Sequence, residues 1–280
     1  MKPTTQTDFA IIPTRDEIAS VEREIRFFPS TTTSPRMLSR EQLASWNTDG
    51  YLAPLDVLTP DEAIDYRLYF DDLLAQALAA GRDSYSISSA HMKHGRVWDL
   101  LNHPNIVGPI RDILGENVIG WGAHFFCKMP GDGKSVDWHQ DCSYWPLTPT
   151  KAITAWLAID DADLENGCME VAVGSHNQGL IPFETSDCGS ANVLDQSVKN
   201  PHRFGTMRAT PLIAGQMSLH SDLLLHGSLP NNSTRRRCGL TLRYCPADVQ
   251  AYLGWNQKGV VVSGHADPDR WPNLPRPSTP

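Results

Sequence analysis

Apolar positions change their spacing part-way along the chain, near Gly115. Before it they recur at helical intervals. Ser39-Arg40-Glu41-Gln42 has the spacing of a capping box, in which two side chains each satisfy an orphan backbone N–H, and predicts a helix to about Asn47. Thr59-Pro60-Asp61-Glu62 is a second such start, with proline where a missing N–H costs nothing. Ile64, Leu68, Leu74 and Leu78 follow at near-helical spacing up to Gly81. A third helix is predicted from Pro104 to Gly115, burying Ile106, Ile110, Ile113 and Leu114. Beyond Gly115 the runs shorten and take on strand character: Val118–Cys127, Ala152–Ile159, Cys168–Val173, Gly205–Ile213, Met217–Leu225 and Arg237–Cys245. Short strands at this spacing suggest a sandwich or barrel rather than a βαβ sheet. The order is helices first, then a β-sandwich, within one domain over residues 38–266. Residues 1–37 read as an N-terminal extension with one short helix, 180–204 as a poorly patterned insert, and 267–280 as an extended, proline-rich tail.

Composition narrows the class without naming a function. Hydrophobic content of 40% with 20% charged residues is that of a globular protein. A net charge of −8 argues against a nucleic-acid footprint, which needs a basic face. No apolar run approaches the roughly 18 residues of a membrane span. MKPTTQTDFAIIPTRDE carries charges and prolines where a secretory leader is apolar, so the expected location is the cytoplasm. Cys127, Cys142, Cys168, Cys188, Cys238 and Cys245 form no CxxC pair, and several sit in apolar runs as small hydrophobes.

The candidate chemistry lies in Trp138-His139-Gln140-Asp141. On extended backbone, residues i and i+2 project from one face, so His139 and Asp141 can reach the same ion. A third imidazole from a distant strand completes a 2-His-1-carboxylate face with open positions for cosubstrate and oxygen. His226, after Leu223-Leu224-Leu225 and before Gly227-Ser228, is one candidate; His220, of the same strand parity, competes with it. A surface histidine beside a solvated aspartate is the plain alternative.

Longer segments carry a resemblance. Trp121 to Gly133 (WGAHFFCKMPGDG), the WHQD segment, Tyr144-Trp145-Pro146-Leu147, Trp156-Leu157-Ala158-Ile159-Asp160, Asn166-Gly167-Cys168-Met169, Gly174-Ser175-His176 and Leu225 to Asn231 (LHGSLPN) occur in order and spacing similar to the phytanoyl-CoA dioxygenase family. The likeness runs from about Ser39 to Pro246. It implies a mainly β fold, a double-stranded β-helix (jelly roll, cupin-like) with flanking α-helices. It also implies iron(II) at His139, Asp141 and His226, with 2-oxoglutarate and O2 as cosubstrates. The family places an arginine eleven residues after the distal histidine to pair the far carboxylate of 2-oxoglutarate, which selects Arg237; a planar guanidinium fork suits that task. Arg235 and Arg236 beside it are expected to face solvent. Ser228, Trp156, Gln140 and His124 carry over as further cosubstrate contacts; alternation sends the Gln140 side chain to the opposite face and leaves its backbone for any contact, and His124 reads equally well as a satisfied core histidine. An upstream lysine contact has no clean counterpart: His91, Lys93 and His94 lie in its neighbourhood, the loop length differs, and nothing chooses between them.

The implied reaction is hydroxylation of an unactivated C–H bond of a small molecule, coupled to conversion of 2-oxoglutarate to succinate and CO2. Halogenating relatives replace the ligand carboxylate by a small residue, and Asp141 is intact. A cupin-like isomerase or hydrolase, or a binding protein on the same scaffold, are the other classes. Tyr144, Trp145 and the stretch after His176 are expected to wall the substrate pocket. Gly239, Thr241 and Arg243 share the parity of Arg237, so the inner face is polar; Arg243 meets either an acidic substrate or a buried carboxylate.

Overall fold

A computed structural model describes residues 13–186 and 191–279. Residues 1–12, which carry most of the leader reading, and Cys188 lie outside the described residues. Five helices precede or flank the sheets: α1 Arg15–Ala19, α2 Arg40–Asp49, α3 Pro60–Ala79, α4 Gly95–Leu101 and α5 Pro104–Leu114. The capping boxes at Ser39/Gln42 and Thr59/Glu62 are both formed. The buried stripe of α3 is Ala63, Phe70, Leu73, Leu74 and Ala77, whereas Ile64, Leu68 and Leu78 are half or more exposed. Apolar spacing alone picked the wrong flank. The face is set by the sheet below, where Phe70 stacks on Phe125 at 4.8 Å.

Ten strands form two antiparallel sheets: β1 Tyr51–Asp56, β2 Val118–Lys128, β3 Val136–His139, β4 Ile153–Ala158, β5 Glu170–Val173, β6 Thr206–Ala209, β7 Gln216–Ser221, β8 His226–Ser228, β9 Arg237–Pro246 and β10 Val260–Ser263. The larger sheet has the order β1-β7-β4-β9-β2-β10 and the smaller β3-β8-β5-β6. Together they form the expected jelly roll. The outer face of the larger sheet, including Phe125, Ala155, Leu157, Leu219, Leu240 and Leu242, packs on α3, α4 and α5 as the main core.

Two predicted runs divide differently. Gly205–Ile213 contributes only Thr206–Ala209. Met217–Leu225 breaks at Asp222, whose carbonyl accepts from Cys142 N–H and whose own N–H donates to Ala152. There the chain leaves the larger sheet and enters the smaller one as β8, so parity does not relate His220 to His226. The terminal segments are strapped to the body. Arg23 donates to the carbonyls of Cys142 (2.7 Å) and Trp145 (3.0 Å). In the tail, the Trp271 side chain is buried and its indole donates to Val249 at 2.8 Å. No helix among the described residues is long and apolar enough to cross a membrane.

Candidate active site

β3 ends at His139 and β8 begins at His226, and the two residues pair directly across the smaller sheet. Their rings lie side by side, centroids 4.2 Å apart. Gln140 is extended (φ −112°, ψ 130°), so Asp141, at the start of a 3-10 turn, projects to the same side as His139. One ligand atom from each of His139, Asp141 and His226 lies within 4.8 Å of the others, and all three residues are buried.

Both imidazoles are oriented in the same way. Nδ1 of His139 is 2.7 Å from the Asp137 carbonyl, and Nδ1 of His226 is 2.9 Å from that of Leu224. A carbonyl only accepts, so Nδ1 carries the hydrogen and Nε2 presents a lone pair. Asp141 Oδ2 accepts from the Thr154 hydroxyl at 2.7 Å, and His220 Nε2 stands 3.4 Å from the same oxygen. Burial opposes the Asp141 charge, but His139, His220 and His226 outweigh it and hold the carboxyl well below the usual range. Burial, then the charges of His139 and His220, hold His226 well below its ordinary value. Lone pairs and a carboxylate thus face one another; His139 Nε2 is 3.7 Å from Asp141 Oδ1. A cation fits such a donor set.

The triad opens into a cavity of 480 Å³ between the sheets, within the range of small-molecule sites. His124, Trp156, Ser228 and Arg237 line it with the triad. Arg237, from the first position of β9, is buried; its fork donates to the Gly167 carbonyl (3.0 and 2.6 Å) and to Ser228 Oγ (3.1 Å). Its guanidinium lies 5.3 Å from the Trp156 ring. That indole crosses the neighbouring strand at Gly239, where a Cβ would come within 2.0 Å of it. His124, on the cavity floor, is pushed down to about 3 by burial and then by the charge of Arg243.

One expectation is met and three need correction. As strand alternation implies, the Gln140 side chain turns away from the cavity, donating to the carbonyls of Gly179 and Leu223 and accepting from Ile181 N–H. His91, Lys93 and His94 are not among the lining residues, and His91 bonds the Lys258 carbonyl instead. Tyr144 and Trp145 do wall the cavity, but the stretch right after His176 does not; Asn192, Val193 and Leu194 of the insert take that place. Arg235 is half exposed, yet Arg236 is held between Asp160 and Asp71 with its side chain only 16% exposed. An acidic groove on α3 and the β4 end, invisible in the local sequence, draws it in.

Against this geometry, the family model described as phytanoyl-CoA dioxygenase (PhyH) matches residues 46–239. The chain belongs to the phytanoyl-CoA dioxygenase family. It is 29% identical over 190 residues to a probable alpha-ketoglutarate-dependent hypophosphite dioxygenase of Stutzerimonas stutzeri, a match over 64% of this chain and 65%, just under two thirds, of that protein. It is 26% identical over 240 residues to the peroxisomal phytanoyl-CoA dioxygenase of Bos taurus, covering 78% and 71% of the two chains. Among solved structures, a non-heme monooxygenase, ThoJ in its apo form, aligns with a TM-score of 0.70 at 25% identity, covering 84% of this chain and 88% of that one. As a member of the family, the protein is an iron(II)- and 2-oxoglutarate-dependent oxygenase.

Sequence reasoning missed several residues that face the cavity. Thr154 shares strand parity with Trp156 and was legible on that ground. Lys258 and Trp255 come from a turn after β9, where no pattern marks them.

Proposed function

We propose that this oxygenase hydroxylates an unactivated C–H bond of a small metabolite, with iron held by His139, Asp141 and His226 and the far carboxylate of 2-oxoglutarate by Arg237 and Ser228. One observation carries the reading: the converging triad and the Arg237–Ser228 pair open onto the same cavity. Bound there, iron(II) and 2-oxoglutarate would supply the chemistry, one atom of O2 entering succinate as CO2 leaves and the other entering the alcohol.

The chain's own residues do the rest. The Asp137 and Leu224 carbonyls fix the tautomer of each histidine, and the Thr154 hydroxyl fixes the rotamer of Asp141. Such support is what keeps ligands oriented. Arg237 and the Ser228 hydroxyl offer a charged fork and a neutral donor to one carboxylate, and Trp156 covers the fork on one side. Tyr144, Trp145 and the insert residues enclose the space beyond the triad, where a substrate would be positioned. The carboxylate at Asp141 favours hydroxylation over halogenation.

The test is succinate formation from 2-oxoglutarate in air with ferrous iron. Wild type should turn over, His139→Ala, Asp141→Ala and His226→Ala should not, and His220→Ala should keep measurable activity. Normal turnover by His226→Ala with loss in His220→Ala would sink the ligand assignment.

A further inference from the structure

The end of the cavity away from Arg237 carries two cations that this reading does not use. Arg243, six residues along β9, lines the cavity with its guanidinium 5.3 Å from the Trp145 ring. Its chain lies against Gly122, where a Cβ would stand 3.2 Å from Arg243 Cδ. Its Nε is buried without a hydrogen-bond partner, and among the described residues no carboxylate lies within ion-pair distance, the Asp141 charge acting on it only from farther off. The expected alternative, a buried structural partner, is therefore not met. Lys258, 3% exposed, lines the same cavity with Nζ 3.5 Å from the Trp255 ring centroid. Trp121 bridges the two platforms, at 4.7 Å from Trp145 and 5.7 Å from Trp255.

We propose that Arg243 and Lys258 form a subsite for an anionic group, carboxylate or phosphonate, of the primary substrate, whose apolar body lies against the three tryptophans. The inference rests on the cavity being the substrate chamber of the iron oxygenase. Two cations sharing a low-dielectric chamber repel, and an incoming anion relieves that repulsion while satisfying a buried donor. Burial, then the charge of Arg243, push Lys258 down to about 7, as expected of cations that feel each other. Arg237 is at the other end of β9, so one 2-oxoglutarate cannot serve both; six residues at about 3.3 Å each separate them by roughly 20 Å. The aromatic faces hold the cations in place and present a flat apolar wall.

The experiment titrates the full chain, loaded with iron(II) and saturating 2-oxoglutarate without oxygen, with phenylacetate, phenylphosphonate and uncharged benzyl alcohol. The visible charge-transfer absorption of the iron–2-oxoglutarate complex is followed alongside. An anionic probe should bind without displacing that absorption. Its affinity should fall about a hundredfold in Arg243→Met and about tenfold in Lys258→Met, with Arg243→Lys recovering part of the loss. Benzyl alcohol should be indifferent to all three changes, and the preferred anion distinguishes carboxylate from phosphonate. Failure of both anions to bind wild type, or equal affinity in wild type and variants with the absorption intact, overturns the subsite. Absence of the absorption in wild type overturns the underlying reading instead. Should Arg243→Met not fold, Lys258→Met decides by the same criterion.

Discussion

The two faces of the larger sheet are built from the same strands and do opposite work. On β9, Cys238, Leu240 and Leu242 point to the helices and are fully buried in the main core. Arg237, Thr241 and Arg243, their alternates, point into the cavity. On β2 the split is Ala123, Phe125 and Cys127 against His124, Phe126 and Lys128, and on β4 it is Ala155 and Leu157 against Thr154 and Trp156. A two-residue period assigns each side chain either to holding the fold or to furnishing the site. The outer face is almost wholly apolar because helices cover it, and the Tyr244 hydroxyl there donates to the Leu101 carbonyl. The inner face accommodates guanidinium, imidazole and hydroxyl groups, most of which find a partner or face the chamber; the buried Ser218 hydroxyl does neither.

The sharpest way to break this contrast is to truncate one residue on each face of β9. Arg237→Met should weaken 2-oxoglutarate binding by about a hundredfold or more, since a buried carboxylate would lose its charge partner. Its melting temperature should stay near that of wild type. Leu240→Ala should do the reverse, costing about 2–5 kcal/mol of stability through the cavity it leaves, with cosubstrate affinity of the folded protein unchanged. Calorimetric binding and thermal unfolding of both variants suffice. Coupled losses in both would mean that the faces are not independent.

A smaller effect separates three consecutive arginines. Arg236, between Asp160 and Asp71, should cost on the order of 2 kcal/mol of stability on truncation to alanine, because Asp160 is left buried and partly unpaired. Arg235, half exposed beside Asp163 and Glu165, should cost far less, because solvent screens its pairs. Neither change should alter 2-oxoglutarate affinity. Equal stability losses for the two variants in denaturant titrations would count against this ranking.

A pH-dependent effect concerns Lys128, an inner-face cation that donates to the carbonyls of Ser228 and Leu229. Burial, then the charge of Arg237, push it down to about 7, against about 10.4 in an unfolded chain. Between those values the unfolded chain binds a proton that the folded chain does not, so this group makes stability rise with pH. Below about 7 both states are protonated and the whole penalty of the buried charge applies. Lys128→Met should therefore melt above wild type at pH 6, and the difference should shrink toward pH 10. A difference that is constant with pH would assign Lys128 no titration in this window.

What the sequence made legible follows from the same geometry. Parity along a long strand is visible in one dimension, so the inward placement of Arg237, Thr241 and Arg243 could be read directly. Helix starts at Ser39 and Thr59 were legible because capping is local chemistry. Three short strands were not: Tyr51–Asp56 contains a proline, Val136–His139 has no alternation beyond one turn, and Val260–Ser263 follows an irregular loop. The choice between His220 and His226 depends on a sheet change hidden inside the uniformly buried run Leu223–Leu225. The buried stripe of α3 and the pairing of Arg236 depend on a neighbouring element, and Lys258 reaches the cavity only through the fold. Local rules stop where a partner distant in sequence decides the outcome.

Gly239 has a consequence for anyone wishing to reshape the chamber. It and Trp156 share one allotment of space across adjacent strands: the indole fills what a side chain on Gly239 would otherwise claim. Shrinking the tryptophan alone would open a void against bare backbone, and enlarging the glycine alone would drive the indole off the arginine it covers. Mass can move only by exchange between the two, because interiors tolerate redistribution of volume far better than its gain or loss. The unit of redesign at this end of the chamber is therefore a pair, and one of its members has no side chain at all.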